Sequence, residues 1–210
     1  MFLQKIKCLA VAAAAAAAMT ANAVPVQWTV ASGGNGHWYD FVLPASTVSA
    51  PGFTWNTAFA HAPTQSFNGM TGYMATVTSQ GEQDFIFANV TQQTAWLGGN
   101  DRDTEGTWMW KNGPEAGQVF YIAGAGVQPG YSFWNGGEPN NCCGGENDLQ
   151  INWNTSSGQW NDHGTPSSPN NLWGYVIEFS DAPTGTPEPA SILLAGGALL
   201  ALGLRRRKTA

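Results

Sequence analysis

The chain has 210 residues, enough for one domain with a substantial core; 10% are charged, with 26 Gly and 10 Trp. This composition suits a loop-rich, largely β module better than a helical one. All 14 acidic residues lie from Asp40 to Glu188, where the bases are Arg102 and Lys111 alone. That negative middle argues against nucleic acid and anionic lipid as partners and suits cations, although acidic surfaces also serve solubility alone.

Lys5 and Lys7 precede an apolar, alanine-dominated run from Cys8 to Met19, followed by Ala21-Asn22-Ala23. A basic start, an apolar centre and an A-x-A site make a secretory signal peptide of residues 1–23, with the domain beginning at Val24. Residues 27–43 alternate loosely and predict two strands around Gly33-Gly34-Asn35-Gly36. Thr54–Ala62 predicts a short helix ending before Pro63, and Gln65–Gly72 reads as a loop. Met74-Ala75-Thr76-Val77 reads as a buried strand. Ser79-x-x-Glu82 has the form of a capping box, and Phe85, Ile86, Ala88, Asn89 and Val90 follow at helical spacing. Thr94–Gly98 and Thr107–Trp110 predict strands, the second ended by Asn112-Gly113. Glycines and prolines fill 113–130. Leu149–Trp153 and Gly174–Phe179 predict the later strands.

The most informative stretch runs Glu138-Pro139-Asn140-Asn141-Cys142-Cys143-Gly144-Gly145-Glu146-Asn147-Asp148, and after an apolar run Trp160-Asn161-Asp162. Glu138, Asn140, Glu146, Asn161 and Asp162 all carry side-chain oxygens, and no Lys, Arg or His lies between Glu138 and Asp162. Hard cations such as calcium take about six to eight oxygens at short range. Crowded carboxylates in turn need a positive charge among them. The plainer reading is a solvated acidic loop.

This stretch resembles the primary calcium site of the C-type lectin domain, which uses Glu-Pro-Asn, a Glu eight residues after the first, and a later Trp-Asn-Asp. Trp96-Leu97-Gly98-Gly99 resembles the family's Trp-Ile-Gly-Leu core motif, and Gly72-Tyr73-Met74-Ala75-Thr76-Val77 resembles its Gly-His-Leu-Ala-Thr-Ile run. Tyr131-Ser132-Phe133-Trp134-Asn135 is also typical. The resemblance covers residues 26–180. It implies an α+β fold of C-type lectin type, with two helices flanking small antiparallel sheets, first and last strands paired, and a long calcium-binding loop. It implies a cis peptide before Pro139 and a calcium ion held by Glu138, Asn140, Glu146, Asn161 and Asp162. It also implies a sugar whose vicinal hydroxyls complete the ion's shell while Glu138, Asn140, Glu146 and Asn161 hydrogen-bond to it. Glu-Pro-Asn goes with mannose-type sugars, which include glucose and N-acetylglucosamine.

The resemblance further implies an auxiliary calcium site at Asp101, Glu105, Asn141 and Asn147, with Glu146. Two usual Asp ligands are Asn here, and the lost charge weakens a hard-cation site. An acidic turn beside Arg102 is the alternative. With Cys8 in the signal peptide, only Cys142 and Cys143 remain, so the family's usual disulfides are absent. Whether this pair bonds, stays free or joins two chains is open. His37, His61 and His163 show no ligand spacing, and most Trp residues fall on predicted strands as core.

The chain ends with Pro187-Glu188-Pro189, an uncharged run Ala190–Leu204, and Arg205-Arg206-Arg207-Lys208. Fifteen helical residues span roughly 22 Å against a roughly 30 Å hydrocarbon core. This order resembles the PEP-CTERM sorting signal of Gram-negative bacteria. It implies handling by an exosortase-type enzyme after signal peptidase, and delivery to the cell surface or extracellular matrix with a transient or retained C-terminal membrane segment. A simple membrane tail is the alternative. The expected organisation is a signal peptide over 1–23, the lectin-like domain over 24–180, a linker over 181–189 and a sorting tail over 190–210. The expected function is non-catalytic, calcium-dependent binding of surface or matrix polysaccharide, with no nucleic-acid partner. A structural or protein-binding module whose calcium only orders the loop is one rival. A glycosidase pairing Glu138 with Asp148 or Glu146 is the other.

Overall fold

The computed structural model describes residues 24–44, 52–154, 156–164 and 172–181. The signal peptide, nearly all of the linker and the sorting tail lie outside the described residues. The order is β1 (Val26–Gln27), β2 (Trp38–Val42), α1 (Trp55–His61), β3 (Ser66–Phe67), β4 (Met70–Met74), α2 (Gln80–Asn89) and β5 (Ala95–Asn100). Then follow β6 (Thr107–Trp110), β7 (Val119–Ile122), β8 (Asp148–Asn154), β9 (Gln159–His163) and β10 (Gly174–Phe179).

The strands join in the order β1-β2-β10-β5-β6-β7. Strand β2 runs antiparallel to β10 from Val42↔Tyr175 to Trp38↔Phe179, so the two ends of the domain close on each other as the lectin-like resemblance implies. Strand β4, with β3, also pairs with β10, and β8 pairs with β5 while carrying β9. The sheet is mixed: β10 and β5 pair in parallel through Gly174↔Ala95 and Tyr175↔Trp96, and the other named strand pairs are antiparallel. The parallel pair is built from strands far apart in sequence, with the long loop and β8–β9 between them.

Every residue of β5 and β10 is buried, because both faces are covered. Side chains alternate across a strand. Ala95, Leu97 and Val176 enter a cluster with Ile86 of α2, Trp108, Trp110, Leu149 and Trp160. Trp96, Tyr175, Ile177 and Phe179 enter a second cluster with Trp55 and Ala58 of α1. The helices thus pack on opposite faces. Both begin at a side-chain cap: Thr54 Oγ1 accepts from Thr57 N at 3.2 Å and Ser79 Oγ from Glu82 N at 3.2 Å. Each cap satisfies one of the unpaired N–H groups of a helix start. The reciprocal half of the capping box goes elsewhere, since Glu82 Oε2 accepts from Thr78 N at 2.8 Å.

Two expectations need correction. Residues 65–72 are not a loop: β3 and β4 form a hairpin with Phe67 opposite Met70. Asn68 and Gly69 between them have φ of 51° and 82°, the left-handed pair that a two-residue hairpin turn requires. The strand expected over 74–77 therefore ends at Met74. Residues 113–130 contain β7, which pairs with β6.

Candidate functional site

Strands β8 and β9 form the floor. Leu149 pairs with Asp162 and Gln150 with Asn161. The loop returns to this floor beside Trp160, whose N–H donates to Phe133 O at 2.8 Å and whose carbonyl accepts from Asn135 N at 2.9 Å. Trp160 is fully buried, and its indole N–H donates to Gln83 Oε1 at 2.7 Å. One packed aromatic therefore fixes α2, the loop stem and the Asn161–Asp162 pair together.

From that stem Glu138 N donates to Asn135 O at 3.0 Å, and the Glu138–Pro139 peptide is cis. Asp162 then draws the loop down. Its Oδ1 accepts from Asn140 N at 3.1 Å and its Oδ2 from Asn141 N at 2.7 Å. Asn140 Oδ1 and Glu146 Oε2 share one donor, the Cys142 N–H, at 2.9 and 3.2 Å. Gly144 and Gly145, at φ of 99° and 115°, turn the chain back toward Glu146 through a conformation that side chains disfavour.

Four of the five expected ligand residues are thus brought together: Glu138, Asn140, Glu146 and Asp162. Asn161 lies beside them with its amide turned inward, donating to Gln150 Oε1 at 3.2 Å and to its neighbour's carbonyl, Asp162 O, at 2.5 Å. Glu146, Asn161 and Asp162 are buried, Glu138 is half-buried and Asn140 is exposed, so the group opens to solvent on one side. Gln150 was not singled out from sequence; the signal was its place directly opposite Asn161 in the hairpin.

The electrostatics are those of acids short of a counter-charge. Burial, then the neighbouring Asp162 and Glu146 carboxylates, push the Glu138 carboxyl up to about 7. Burial, then Asp162, also raises Glu146. Among the described residues Glu138 Oε2 is buried without a hydrogen-bond partner, an arrangement that is costly for an acceptor. His163 Nδ1 lies 3.4 Å from Glu146 Oε1, but burial lowers the imidazole's pKa and so favours its neutral form. His163 is stacked over Trp96 with ring centroids 5.8 Å apart. No three His, Cys, Asp or Glu side chains among the described residues make a metal cluster by themselves. The oxygen set here is mixed, with two amides beside three carboxylates.

The second group is partly assembled. Asn147 Nδ2 donates to Asp101 Oδ1 at 3.0 Å and to Glu105 Oε2 at 3.3 Å, while Asp101 Oδ2 accepts from Gly106 N at 2.8 Å. The amide of Asn147 therefore sits where the two acids meet. Asn141 Oδ1 faces the other way, accepting from Glu146 N at 2.7 Å. Asp148 belongs to neither group: both its oxygens bind the Arg102 guanidinium, at 2.7 and 2.6 Å. Cys142 and Cys143 are disulfide-bonded to each other, with Cα atoms 3.8 Å apart.

The family model described as the lectin C-type domain matches residues 59–171, and that of the PEP-CTERM protein-sorting motif matches residues 186–208. Halomucin of Haloquadratum walsbyi is 36% identical over 150 residues, which are 71% of this chain and 2% of Halomucin. The low affinity immunoglobulin epsilon Fc receptor of Mus musculus is 35% identical over 91 residues, 43% of this chain and 23% of the receptor. The chain thus spans a small part of the length of these two relatives. Lectin BRA-3 of Megabalanus rosa is 29% identical over 133 residues, 61% of this chain and 69% of that lectin. Among solved structures, the C-type carbohydrate-recognition domain of cow CD23, crystallised in the presence of a GlcNAc2Man3 oligosaccharide, is 26% identical, with a TM-score of 0.48 over 69% of this chain and 89% of that one. Since the lectin model matches more than half of its residues, this chain belongs to the C-type lectin domain family.

Proposed function

We propose that the chain binds carbohydrate in a calcium-dependent way, through an ion held by Glu138, Asn140, Glu146, Asn161 and Asp162. The observation that carries this reading is that Glu138, Asn140, Glu146 and Asp162 adjoin one another at the loop, with the Glu138 Oε2 atom buried and without a partner among the described residues. The donor set suits a hard cation, which takes carboxylate and amide oxygens alike. A half-turn of the Asn161 amide would set its oxygen beside the Asp162 carbonyl, giving two acceptors for an ion in place of a donor–acceptor pair. Bound calcium would supply the counter-charge and coordinate two sugar hydroxyls. Glu138 and Glu146 would accept from those hydroxyls, and Asn140 and Asn161 would donate to them. Relatives named as lectins support the sugar, and Glu138-Pro139-Asn140 favours mannose, glucose or N-acetylglucosamine units. The sorting motif favours export, exosortase-type processing and display at the surface or matrix of a Gram-negative cell, where polysaccharide is the partner at hand. Among the described residues no helix is long and apolar enough to cross a membrane; the 190–204 run lies outside them.

One observation favours a second reading, in which calcium only orders the loop of a structural or protein-binding module: Asp162 spends both oxygens on backbone N–H groups of the loop. The Glu138–Asp148 glycosidase pairing has less support, because Arg102 occupies both Asp148 oxygens. Calorimetric titration with calcium, repeated with mannose present, separates the readings. Lectin function requires calcium-dependent heat from mannose that chelator abolishes. Calcium binding with no heat from mannose, glucose or N-acetylglucosamine would leave the loop-ordering reading.

A further inference from the structure

Two tryptophans break the pattern set by their buried fellows: Trp173 is 69% exposed and Trp153 is 49% exposed. Trp173 immediately precedes β10, whose Gly174 pairs in parallel with Ala95, so it stands beside the residues that lead into β5. There it lines a groove of about 480 Å³ with Gln92, Gln93 and Thr94. An exposed indole beside polar side chains offers a ligand one flat apolar face and several hydrogen-bonding groups. The wall is firm. Asn152 Nδ2 donates to the carbonyls of Thr91 and Gln93, both at 2.9 Å, and Gln93 N donates to Thr91 Oγ1 at 3.0 Å. Gln92 and Gln93 are both exposed, and among the described residues their side-chain amides make no hydrogen bond.

We infer that this groove is a second carbohydrate subsite, one that needs no metal. The occupant follows from the lining. An indole face matches the apolar C–H face of a neutral pyranose, and two free amides and a hydroxyl match its ring of hydroxyl groups. Among the described residues no charged side chain lines the groove, so nothing among them calls for an ionic ligand or a cation. Among the described residues the groove shares no lining residue with the calcium loop. Trp173 stands at the Ala95 end of β5, where Trp96 pairs with Gln150 and Gln150 with Asn161. Two inter-strand spacings of about 4.8 Å put roughly 10 Å of sheet between β5 and Asn161. A polysaccharide long enough to reach both would be held at two points, which multiplies weak single-sugar affinities.

The test uses the chain with its tryptophan indoles labelled with nitrogen-15, in chelator, titrated with cellohexaose, maltohexaose and mannohexaose. The Trp173 indole signal should shift with at least one of the three. Trp173→Ala should weaken that binding at least tenfold, and Trp173→Phe should restore part of it. Asn161→Ala should leave it unchanged, so loss of the calcium site and loss of this subsite are told apart. A Trp173 signal unmoved by all three sugars overturns the proposal, as does binding that survives Trp173→Ala.

Discussion

Asp162 and Asn140 lie 22 residues apart in sequence, and the carboxylate of the first holds the backbone N–H of the second at 3.1 Å. The contact joins the Glu-Pro-Asn turn to the strand that carries Trp160 and Asn161, so loop shape and ligand geometry depend on one side chain. Asp162→Asn should retain the fold by circular dichroism, since the core around Trp160 is untouched. It should also lower calcium affinity, because one charge-assisted acceptor becomes a donor. Hydrogen bonds to charged groups contribute about 1.5–3 kcal/mol, which sets the expected loss at roughly 10- to 100-fold by calorimetry. Unchanged affinity would remove Asp162 from the proposed ligand set.

The Asp101–Glu105 pair is served by an amide. Asn147 Nδ2 donates to both acids, occupying the position from which a cation would attract them. Replacing that amide by a carboxylate removes the donors and adds charge, which makes the pocket bind hard cations more tightly. The double variant Asn141→Asp, Asn147→Asp should therefore take up one more calcium per chain than the parent, read as calorimetric stoichiometry. An unchanged stoichiometry would show that Asp101 and Glu105 are not placed to share an ion.

Trp160 links the site to the core twice, through its buried ring and through its indole N–H on Gln83 Oε1 at 2.7 Å. Trp160→Phe keeps most of the ring and leaves the Gln83 carbonyl buried without a partner, which costs about 1–3 kcal/mol. Trp160→Ala adds a cavity and should cost roughly 3–5 kcal/mol. Chemical denaturation measures both. If the Phe variant loses as much stability as the Ala variant, the hydrogen bond outweighs the packing.

What could be read from the sequence was what depends on neighbours in sequence. Glu138-Pro139-Asn140, Glu146 and Trp160-Asn161-Asp162 could be singled out as the proposed ligands because residue type and spacing are visible along the chain. The capping Ser79 and the strands Thr107–Trp110 and Gly174–Phe179 were equally plain. The Asn68-Gly69 pair is itself a local hairpin signal, lying inside the segment expected to be a loop. What could not be read depends on the sheet. The parallel pairing of β5 with β10 sets Trp173 beside Thr94. The meeting of Arg102 with Asp148 needs two segments 46 residues apart. The Cys142–Cys143 bond was open because adjacent Cα atoms, 3.8 Å apart here, lie below the usual range for a disulfide.

Away from the loop, a buried acid pair should make stability depend on pH. Glu82 and Glu178 are each 1% exposed. Tyr39 stands between them, donating to Glu82 Oε1 at 2.6 Å and lying 3.3 Å from Glu178 Oε1. His37 Nδ1 meets Glu178 Oε1 at 2.5 Å, Thr76 N donates to Glu178 Oε2 at 3.1 Å, and Glu115 and Tyr73 complete the group of titratable neighbours. The bond to Glu178 raises the His37 pKa above 6.5, while burial pushes the Glu82 carboxyl from 4.5 up to about 7. Both shifts mean that the folded state holds protons the unfolded chain releases, so both make stability fall as pH rises. The Glu82 contribution declines between 4.5 and about 7. That of His37 is complete below 6.5 and is lost as pH rises through its higher folded value. In chelator, the denaturation midpoint should therefore fall steadily from about pH 5 to about pH 8, the range in which His and raised carboxyls titrate. His37→Gln should flatten the upper part of that curve and Glu82→Gln the lower part. If either variant keeps the parent's slope in its own range, the corresponding proton is not held by this cluster.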